Sequence, residues 1–514
     1  MNRRDFLKRS AAGAGAVAAG TLLSNSLAAA EPAPAAKRPN IILLMTDQQR
    51  GDGLGADGNK IIRTPNLDRL AREGTRFSSG YSCTPTCTPA RTALLTGMGP
   101  WKNGMLGYGK VAEKYPVELP RALREAGYHT LGIGKMHWSP QRNLHGFHRT
   151  LLDESGRVEA TGFESDYRAW FRQHAPKGAT PDDTGIGWND HRAKAYVLPE
   201  ELHPTRWTAD TAIDFLESYR EENPFFAKIS FARPHSPYDP PKRFLEAYRE
   251  DEMPPPHIGD WAEKHAQRNA PHPNDLWEGD LGLEQVRRSR RGYYGSISFI
   301  DEQIGRIMAT LEKRDLLDNT FILFVSDHGD MTGDHHLWRK SYAYEASARV
   351  PFFVRPPARL NLRRGQVLKN CVEIRDILPT CLDVAGQKIP ATIEGRSLFP
   401  LLRGETGDWR PWIDLEHHIC YSPTNHYNAL TDGRHKYIYH AQHGEEQLFD
   451  LREDPGELHN VAAEEGGRKI VREWRERLVG HLKERGEPFV VKGDLAPRPK
   501  GMLYSPHYPK SAPV

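Results

Sequence analysis

Residues Tyr81 to Gly97 read YSCTPTCTPARTALLTG, which writes Cys-Thr-Pro twice and places an arginine four residues beyond only the second cysteine. A lone cysteine is ordinarily a packing residue or half of a disulfide. Here the neighbours give it another use. Pro89 suits the first position of a helix, where its missing N–H costs nothing, Thr88 can cap, and Ala93 to Leu95 continue an apolar run. Cys87 is thereby expected at the mouth of a helix N-terminus, whose unpaired N–H groups lower a thiol pKa and attract tetrahedral anions. Arg91, one helical turn on, is a fork-shaped donor for the same anion.

A second chemistry stands at two strand ends. IILLMT, Ile41 to Thr46, is followed at once by Asp47 and Gln48, and FILFVS, Phe321 to Ser326, by Asp327 and His328. Continuous apolar runs of this length mark strands buried on both faces, and open α/β sheets place their ligands beyond strand carboxyl ends. A single aspartate caps a helix or closes a turn as readily as it binds metal; two such dyads point to a cation. Asp47, Gln48 and Asp327 offer the hard oxygens that suit calcium or magnesium, while His328 brings a nitrogen that other divalent ions accept.

These groups need a scaffold. Strand-like FFAKISF, Phe225 to Phe231, and helical patterns such as TPNLDRLAREG and VELPRALREAG lie between the two dyads. Strands alternating with amphipathic helices predict an α/β sandwich around a mostly parallel central sheet flanked by helices. The stretches 139–205 and 251–286 are rich in Pro, His, Trp and charge with little periodicity, and read as long loops bordering a site or decorating the surface. From about Arg403 the texture changes to short strands (HKYIYH), a turn-rich DLREDPGELHN, a charged helix and a Pro-rich tail. The expected division is a catalytic domain over 31–402 and a smaller C-terminal α+β domain over 403–514.

The chain has 514 residues, 38% of them hydrophobic, enough for a large core. A formal charge of +3 provides no global basic field, so nucleic acid is not an expected partner. The start, MNRRDFLKRSAAGAGAVAAG, carries Arg3 and Arg4 before a weak Ala/Gly-rich run and a small-residue site near Ala28 to Ala30, which resembles a twin-arginine export signal over residues 1–30. The implied partner is the twin-arginine translocation machinery, and the implied location periplasmic or secreted. No segment is long and apolar enough for a transmembrane span. Five cysteines, Cys83, Cys87, Cys371, Cys381 and Cys420, leave at least one thiol unpaired, and none has zinc-site spacing. Cys371 and Cys381 are expected in the core.

Taken in order, the motifs from Asn40 to about Asn460 resemble the type I sulfatases of the alkaline-phosphatase-like superfamily. The family's Cys-x-Pro-x-Arg and following Leu-Thr-Gly are met by Cys87, Pro89, Arg91 and Leu95-Thr96-Gly97, whereas Cys83 has Cys87 where the arginine belongs. The resemblance implies that a formylglycine-generating or sulfatase-maturing enzyme oxidises Cys87 to Cα-formylglycine, whose aldehyde hydrate is the nucleophile. GIGKMHW supplies Lys135 and His137, with Met136 where an aromatic residue is common; RPHSP supplies His235, and GDHHLWRKSYAYE supplies Lys340. DILPTCLDVAG, IEGRSLFPLL and QLFDLREDPGELHN are similar to the family's boundary and C-terminal motifs. Many relatives carry Asp-Asp where this chain has Asp47-Gln48, and some carry Asp-Asn where it has Asp327-His328. The implied ion is one calcium per subunit, with another divalent ion open, held by Asp47, Gln48, residue 87, Asp327 and His328.

A sulfate ester needs an oxygen nucleophile, positive charge around the sulfuryl oxygens and a proton for the leaving alcohol. The resemblance gives Arg91, Lys135 and Lys340 the sulfate, His235 the leaving oxygen with help from Lys340, and His137 the base that releases sulfate. His335, His336, His417 and His418 are taken as structural. A sulfated polysaccharide fragment is the expected substrate, because the long segments hold Arg142, His145, His148, Arg206, Trp207, Trp338 and Arg339, which suit sugar rings and neighbouring sulfates. The alternatives are a small aryl sulfate, a phosphonate or phosphodiester, and a catalytically silent carbohydrate-binding relative, against which the full set of reactive residues stands.

Overall fold

A strand with no polar interruption must be covered on both faces, and NIILLMTD is: β1 (Asn40–Asp47) is buried at every residue. The computed structural model describes residues 38–268, 276–405, 407–422 and 425–509, so the expected leader lies outside the described residues. β1 sits inside an eight-stranded sheet completed by β2 (Thr75–Phe77), β3 (His129–Gly134), β4 (Arg149–Leu152), β5 (Phe225–Pro234), β6 (Thr320–Ser326), β7 (Phe352–Arg355) and β8 (Gln366–Leu368). The order across the sheet is β4-β3-β5-β1-β6-β7-β2-β8. The first five strands are mutually parallel. β7 runs antiparallel to both neighbours, and β2 and β8 pair in parallel.

Alternation along β1 divides the core. Ile41, Leu43 and Met45 face one side and Ile42 and Leu44 the other. The helices that matter here are α1 (Pro65–Arg72), α2 (Cys87–Thr96), α3 (Asp166–His174), α4 (Pro204–Ser218) and α5 (Leu283–Lys313). α1, α4 and α5 cover the Ile42 side with residues such as Leu67, Leu216 and Ile304. α2 lies in the Ile41 cluster through Ala90, Ala93, Leu94 and Leu95, and all ten of its residues are buried. The fold is thus an α/β sandwich with a mostly parallel sheet.

The segment 139–205, read from sequence as loop, contains β4 and α3. Only Tyr167 and Phe171 are buried on α3, one i,i+4 pair with the half-buried Trp170 beside it, and β4 is a four-residue edge strand, so both are too short for a sustained periodic signal. Beyond Arg403, β9 (Ile413–His417), β10 (Tyr427–Thr431), β11 (His435–His440) and β12 (Glu445–Asp450) form an antiparallel meander. One face packs on α6 (Glu465–Leu482) through Tyr437, Leu448, Trp474 and Leu478. The other joins Tyr81, Ala348 and Tyr344 of the large unit. The tail then returns to the loop at 104–108 of the large unit, where Leu106 and Gly107 N–H groups donate to Leu503 O at 3.2 and 3.1 Å, and Tyr108 N–H donates to Ile419 O, just after β9, at 2.7 Å. All five cysteines are free, with Cys371 and Cys381 buried. Among the described residues no helix is long and apolar enough to cross a membrane.

Candidate active site

Four neighbouring parallel strands, β3, β5, β1 and β6, end at one edge, and each carries a reactive group there. Asp47 closes β1, while Lys135, His235 and Asp327 are the residues immediately after β3, β5 and β6. Backbone bonds lock the ends in step: His235 N–H donates to Asp47 O at 3.0 Å and Lys135 N–H to Ser230 O at 2.9 Å. This is the ligand edge of an open α/β sheet.

α2 brings Cys87 to the same edge. The helix starts at Cys87 itself with Thr86 as N-cap, two residues before the start expected from Pro89. Proline is tolerated at the third helical position because that N–H also lacks an intrahelical partner. Thr88 lies inside the helix and cannot cap it, and the Thr86 hydroxyl pairs instead with Ser341 Oγ at 2.8 Å. Cys87 Sγ is 3.2 Å from His328 Nε2. Burial and Asp47 push its pKa up, but Lys340, Lys135 and His328 outweigh them and bring it down to about 7. Cys83 is fully buried, and burial pushes its thiol well above the ordinary range.

Asp47, Cys87, Asp327 and His328 form a buried group whose candidate donor atoms all lie within 4.8 Å of one another. Arg91 decides which carboxylate oxygens face it. The guanidinium takes Asp327 Oδ2 through Nε at 2.8 Å and Asp47 Oδ2 through Nη2 at 3.2 Å, leaving Oδ1 of each toward His328 Nε2, at 3.6 and 3.8 Å. His328 Nδ1 donates to Gly329 O at 2.9 Å, which turns the lone pair of Nε2 to the group. Two carboxylate oxygens, an imidazole nitrogen and residue 87 fit a divalent cation. Gln48 stands at the margin. Its Nε2 donates to Asp330 Oδ2 at 2.5 Å and its Oε1 accepts from Lys340 Nζ at 2.8 Å, so the amide oxygen is oriented at the site with one lone pair left.

Arg91 thus bridges the two strand-end carboxylates. Besides the two carboxylates it gives Nη1 to Lys135 O at 2.6 Å and to Ser230 Oγ at 3.1 Å, and it is fully buried. Four of its five N–H groups are spent inside the protein, beneath the site. Lys135 and Lys340 are the available cations: Lys135 Nζ lies against Asp47 Oδ2, and Lys340 is raised because Cys87 and Asp47 outweigh its burial. Burial would raise Asp47, but the Lys135 and Arg91 cations beside it hold it well below the usual carboxylate range.

Both candidate histidines are buried and neutral. Burial, then Lys340, depresses His235, whose Nδ1 donates to Ser236 O at 2.8 Å and leaves Nε2 as an acceptor. Burial, then Arg157, depresses His137, whose Nε2 is 3.1 Å from the Tyr108 hydroxyl and whose Nδ1 is buried without a hydrogen-bond partner. His137 is held by its own N–H on Glu154 Oε1 at 2.8 Å. Gln48, His137 and Ser341 all adopt left-handed backbone, with φ of 70°, 67° and 80°, conformations that cost about 1–3 kcal/mol each and concentrate at functional sites.

Several contributors escaped the sequence. Trp188 stacks on His235 with centroids 4.1 Å apart and planes 16° apart, and lies 4.8 Å from Lys135 Nζ. Tyr108, 40% exposed, stands at the mouth. Tyr421 lies under the Arg339 guanidinium at 4.1 Å. Each comes from an aperiodic segment, and only the tertiary contact marks it. The set expected to rim the site is not assembled. His145, Trp207 and Trp338 are buried, with His145 on Glu118 and Trp338 Nε1 donating to Gly279 O. His148 bonds Thr130 beside His129, at the start of β3 and so at the opposite end of the sheet. Arg142 is ion-paired with Asp166 and Arg206 with Asp210. Of that set, Arg339 alone adjoins the site residues.

Fold and site together define a hydrolase of the alkaline-phosphatase-like superfamily. Residues 39–387 match the sulfatase family model, and residues 333–484 match the model for the C-terminal part of N-sulphoglucosamine sulphohydrolase. The chain belongs to the type I sulfatase family and is a sulfuric ester hydrolase. It is 40% identical to an arylsulfatase of Clostridium perfringens over 465 residues, covering 88% of this chain and 96% of that one. It is 32% identical to a choline-sulfatase of Rhizobium meliloti, covering 83% of this chain and 82% of the relative. Among solved structures, the phosphonate monoester hydrolase of Agrobacterium radiobacter superposes with a TM-score of 0.72 at 26% identity, over 90% of this chain and all of that one. The family implies a formylglycine and a divalent metal, which the buried donor group fits.

Proposed function

We propose that this chain hydrolyses sulfate monoesters of compact alcohols or phenols, with residue 87 as the nucleophilic position. The observation that carries this reading is the buried group of Asp47, Cys87, Asp327 and His328 flanked by Lys135 and Lys340. Conversion of Cys87 to Cα-formylglycine would supply a hydrated aldehyde, and a divalent cation held by Asp47, Asp327, His328 and the Gln48 amide oxygen would favour its deprotonated oxygen. Calcium is the proposed ion, because the donors are mostly oxygens.

The protein's own groups do the rest. Lys135 and Lys340 balance charge on the sulfuryl oxygens. Arg91 positions the two carboxylates rather than the substrate. Lys340, charged and with two N–H groups beyond its bond to Gln48, gives the proton that the departing ester oxygen needs. His235 presents an unprotonated Nε2 and is assigned a hydrogen-bonding role beside Trp188. His137 accepts the proton that must leave residue 87 for sulfate release, with Tyr108 holding Nε2 and the unpartnered Nδ1 as acceptor.

A long polymer-binding surface loses its support with the dispersal of the expected rim, and the half-buried Trp188 and the Tyr108 ring favour an aryl group or a single sugar ring. Export is proposed from the Arg3-Arg4 leader alone. A second reading, phosphonate monoester hydrolysis, has the Agrobacterium radiobacter likeness in its favour. Rates of the matured enzyme on 4-nitrophenyl sulfate and on 4-nitrophenyl phenylphosphonate decide between them; a larger kcat/KM on the phosphonate would reverse the assignment.

A further inference from the structure

The Pro-rich tail takes no part in the reaction itself, yet it holds a residue that does. Tyr108, whose hydroxyl lies 3.1 Å from His137 Nε2, sits on a loop outside any helix or strand. From Leu106 to Lys110 the backbone of that loop finds its partners in the C-terminal part of the chain. Leu106 and Gly107 N–H groups donate to Leu503 O, Tyr108 N–H donates to Ile419 O, and Leu106 O accepts from His418 N–H at 2.9 Å. Lys110 N–H donates to Tyr504 Oη at 2.8 Å, and Lys110 O accepts from Tyr508 Oη at 2.8 Å. Backbone polar groups demand partners, so a loop that takes them from a distant segment takes its shape from that segment.

The approach is closer than a side chain would allow. A Cβ on Gly107 would stand 2.4 Å from Ile419 O, and one on Gly109 2.6 Å from Tyr504 Oη. Glycine at these two positions lets the loop lie directly on the segments that hold it. The tail is itself anchored. Tyr504 and Tyr508 pack against the Ile41 side of the core with ring centroids 4.1 Å apart, and between them Ser505 Oγ donates to Trp101 O at 2.5 Å.

His137 is the group that depends on this. Its Nε2 has the Tyr108 hydroxyl as partner, and its Nδ1 is buried with none. A neutral imidazole carries one N–H, and the hydrogen bond at one nitrogen decides what the other can do. With the Nε2 N–H donated to the Tyr108 oxygen, Nδ1 keeps its lone pair for the proton that leaves residue 87. Without that oxygen in place, either nitrogen can carry the proton. We propose that the segment 503–508 is a strap that holds Tyr108 on His137, and that Tyr504 is thereby a positioning residue for sulfate release. The inference rests on the role given to His137 above.

The test compares matured wild type, Tyr504→Phe, Tyr108→Phe, the double variant and His137→Ala on 4-nitrophenyl sulfate. Nitrophenolate departs before sulfate is released, so a defect confined to release lowers kcat and KM together. It leaves kcat/KM unchanged and gives a burst of nitrophenolate ahead of the steady state. Tyr504→Phe is expected to lose about threefold to tenfold in kcat in this pattern, the worth of one hydrogen bond. Because Tyr504 acts through Tyr108, the double variant should lose no more than Tyr108→Phe alone. Imidazole nitrogen NMR of histidine-labelled protein gives a readout apart from turnover. The His137 signals, assigned by their loss in His137→Ala, should show a protonated Nε2 in the wild type and mixed tautomers in both single variants. A kcat/KM that falls as far as kcat, losses that multiply in the double variant, or an unchanged tautomer in Tyr504→Phe would overturn the strap. Should Tyr504→Phe not fold, Tyr508→Phe removes the other hydroxyl on Lys110 and meets the same criteria. A His137→Ala enzyme at full speed would reject the role of His137 and the strap with it, whereas a slow His137→Ala beside an unimpaired Tyr504→Phe overturns the strap alone.

Discussion

Arg91 donates through Nε to Asp327 Oδ2 at 2.8 Å, with neither side chain exposed to solvent. A second bond to Asp47 Oδ2 makes this guanidinium the bridge between two strand ends. A planar fork can hold two carboxylates in fixed orientation, and an ammonium cannot.

Arg91→Lys is therefore expected to lower kcat by about a hundredfold or more, the scale of breaking a buried ion pair, and to raise the calcium concentration needed to reactivate chelated enzyme. Inhibition by inorganic sulfate should change little. Weakened sulfate inhibition with an unaltered calcium requirement would return Arg91 to the substrate.

Cys87 and Cys83 separate by environment as well as by motif. Cys87 faces Lys340, Lys135 and His328, while Cys83 is sealed in the core with its thiol pushed up. Mass spectrometry of active enzyme should find the aldehyde at residue 87 alone. Cys87→Ala should be inactive and folded, and Cys83→Ala active. A fully active preparation carrying an unmodified Cys87 would falsify the mechanism.

Removal of metal should abolish turnover without unfolding the chain, because Arg91 and Lys135 still balance Asp47 and Asp327. Exhaustive chelation followed by calcium, magnesium and manganese additions checks both the requirement and the ion. An unchanged rate after chelation makes the strand-end dyads structural.

What could be read from the sequence follows physical range. β1 and β6 announced themselves because a strand buried on both faces is a run of apolar residues, and the dyads after them inherit that position. Cys87, Lys135, His235 and Lys340 sit in short local motifs, so their placement needed no tertiary information. Arg91 was legible as a residue, but its bonds to the two carboxylates were not, since its partners Asp47 and Asp327 are 44 and 236 positions away. Trp188 and Tyr108 lie in aperiodic loops, and nothing local distinguishes a loop aromatic that reaches a site from one that does not. His145 and Trp207 failed in the opposite direction, as residues suited to sugars that the core consumed.

The source of the leaving-group proton can be read from pH. His235 is depressed and uses Nδ1 as donor to Ser236, while Asp47 favours the charged form of Lys340 whether residue 87 is a thiol or an aldehyde. If Lys340 is the acid, kcat on a sugar sulfate holds up to about pH 9, below the ordinary lysine range. Lys340→Ala should then cost far more on a sugar sulfate than on 4-nitrophenyl sulfate, whose phenolate leaves almost unaided. A decline that begins below pH 6.5 on the sugar sulfate, and is lost in His235→Ala, would assign the proton to His235.

Lys228 makes the last prediction, which concerns stability. It lies on β5, 2% exposed, with Nζ 5.1 Å from the Trp138 ring centroid and no hydrogen-bond partner. Burial, then the Arg91 charge, lowers its pKa to about 7 despite Asp327 and Glu154. In the unfolded chain the value is about 10.4, so between about pH 7 and 10 the unfolded state holds the extra proton and stability rises with pH. The penalty is full below about pH 7 and fades as the pH approaches 10. Lys228→Met keeps the length of the side chain and removes the charge. It should raise the unfolding temperature at pH 7, by an amount on the order of a few kcal/mol in free energy, and the gain should shrink steadily toward pH 10. Thermal unfolding of wild type and variant at pH 7, 8.5 and 10 gives the comparison. A gain that stays constant across that range would mean that Met simply packs better, and that Lys228 is not held neutral by its burial.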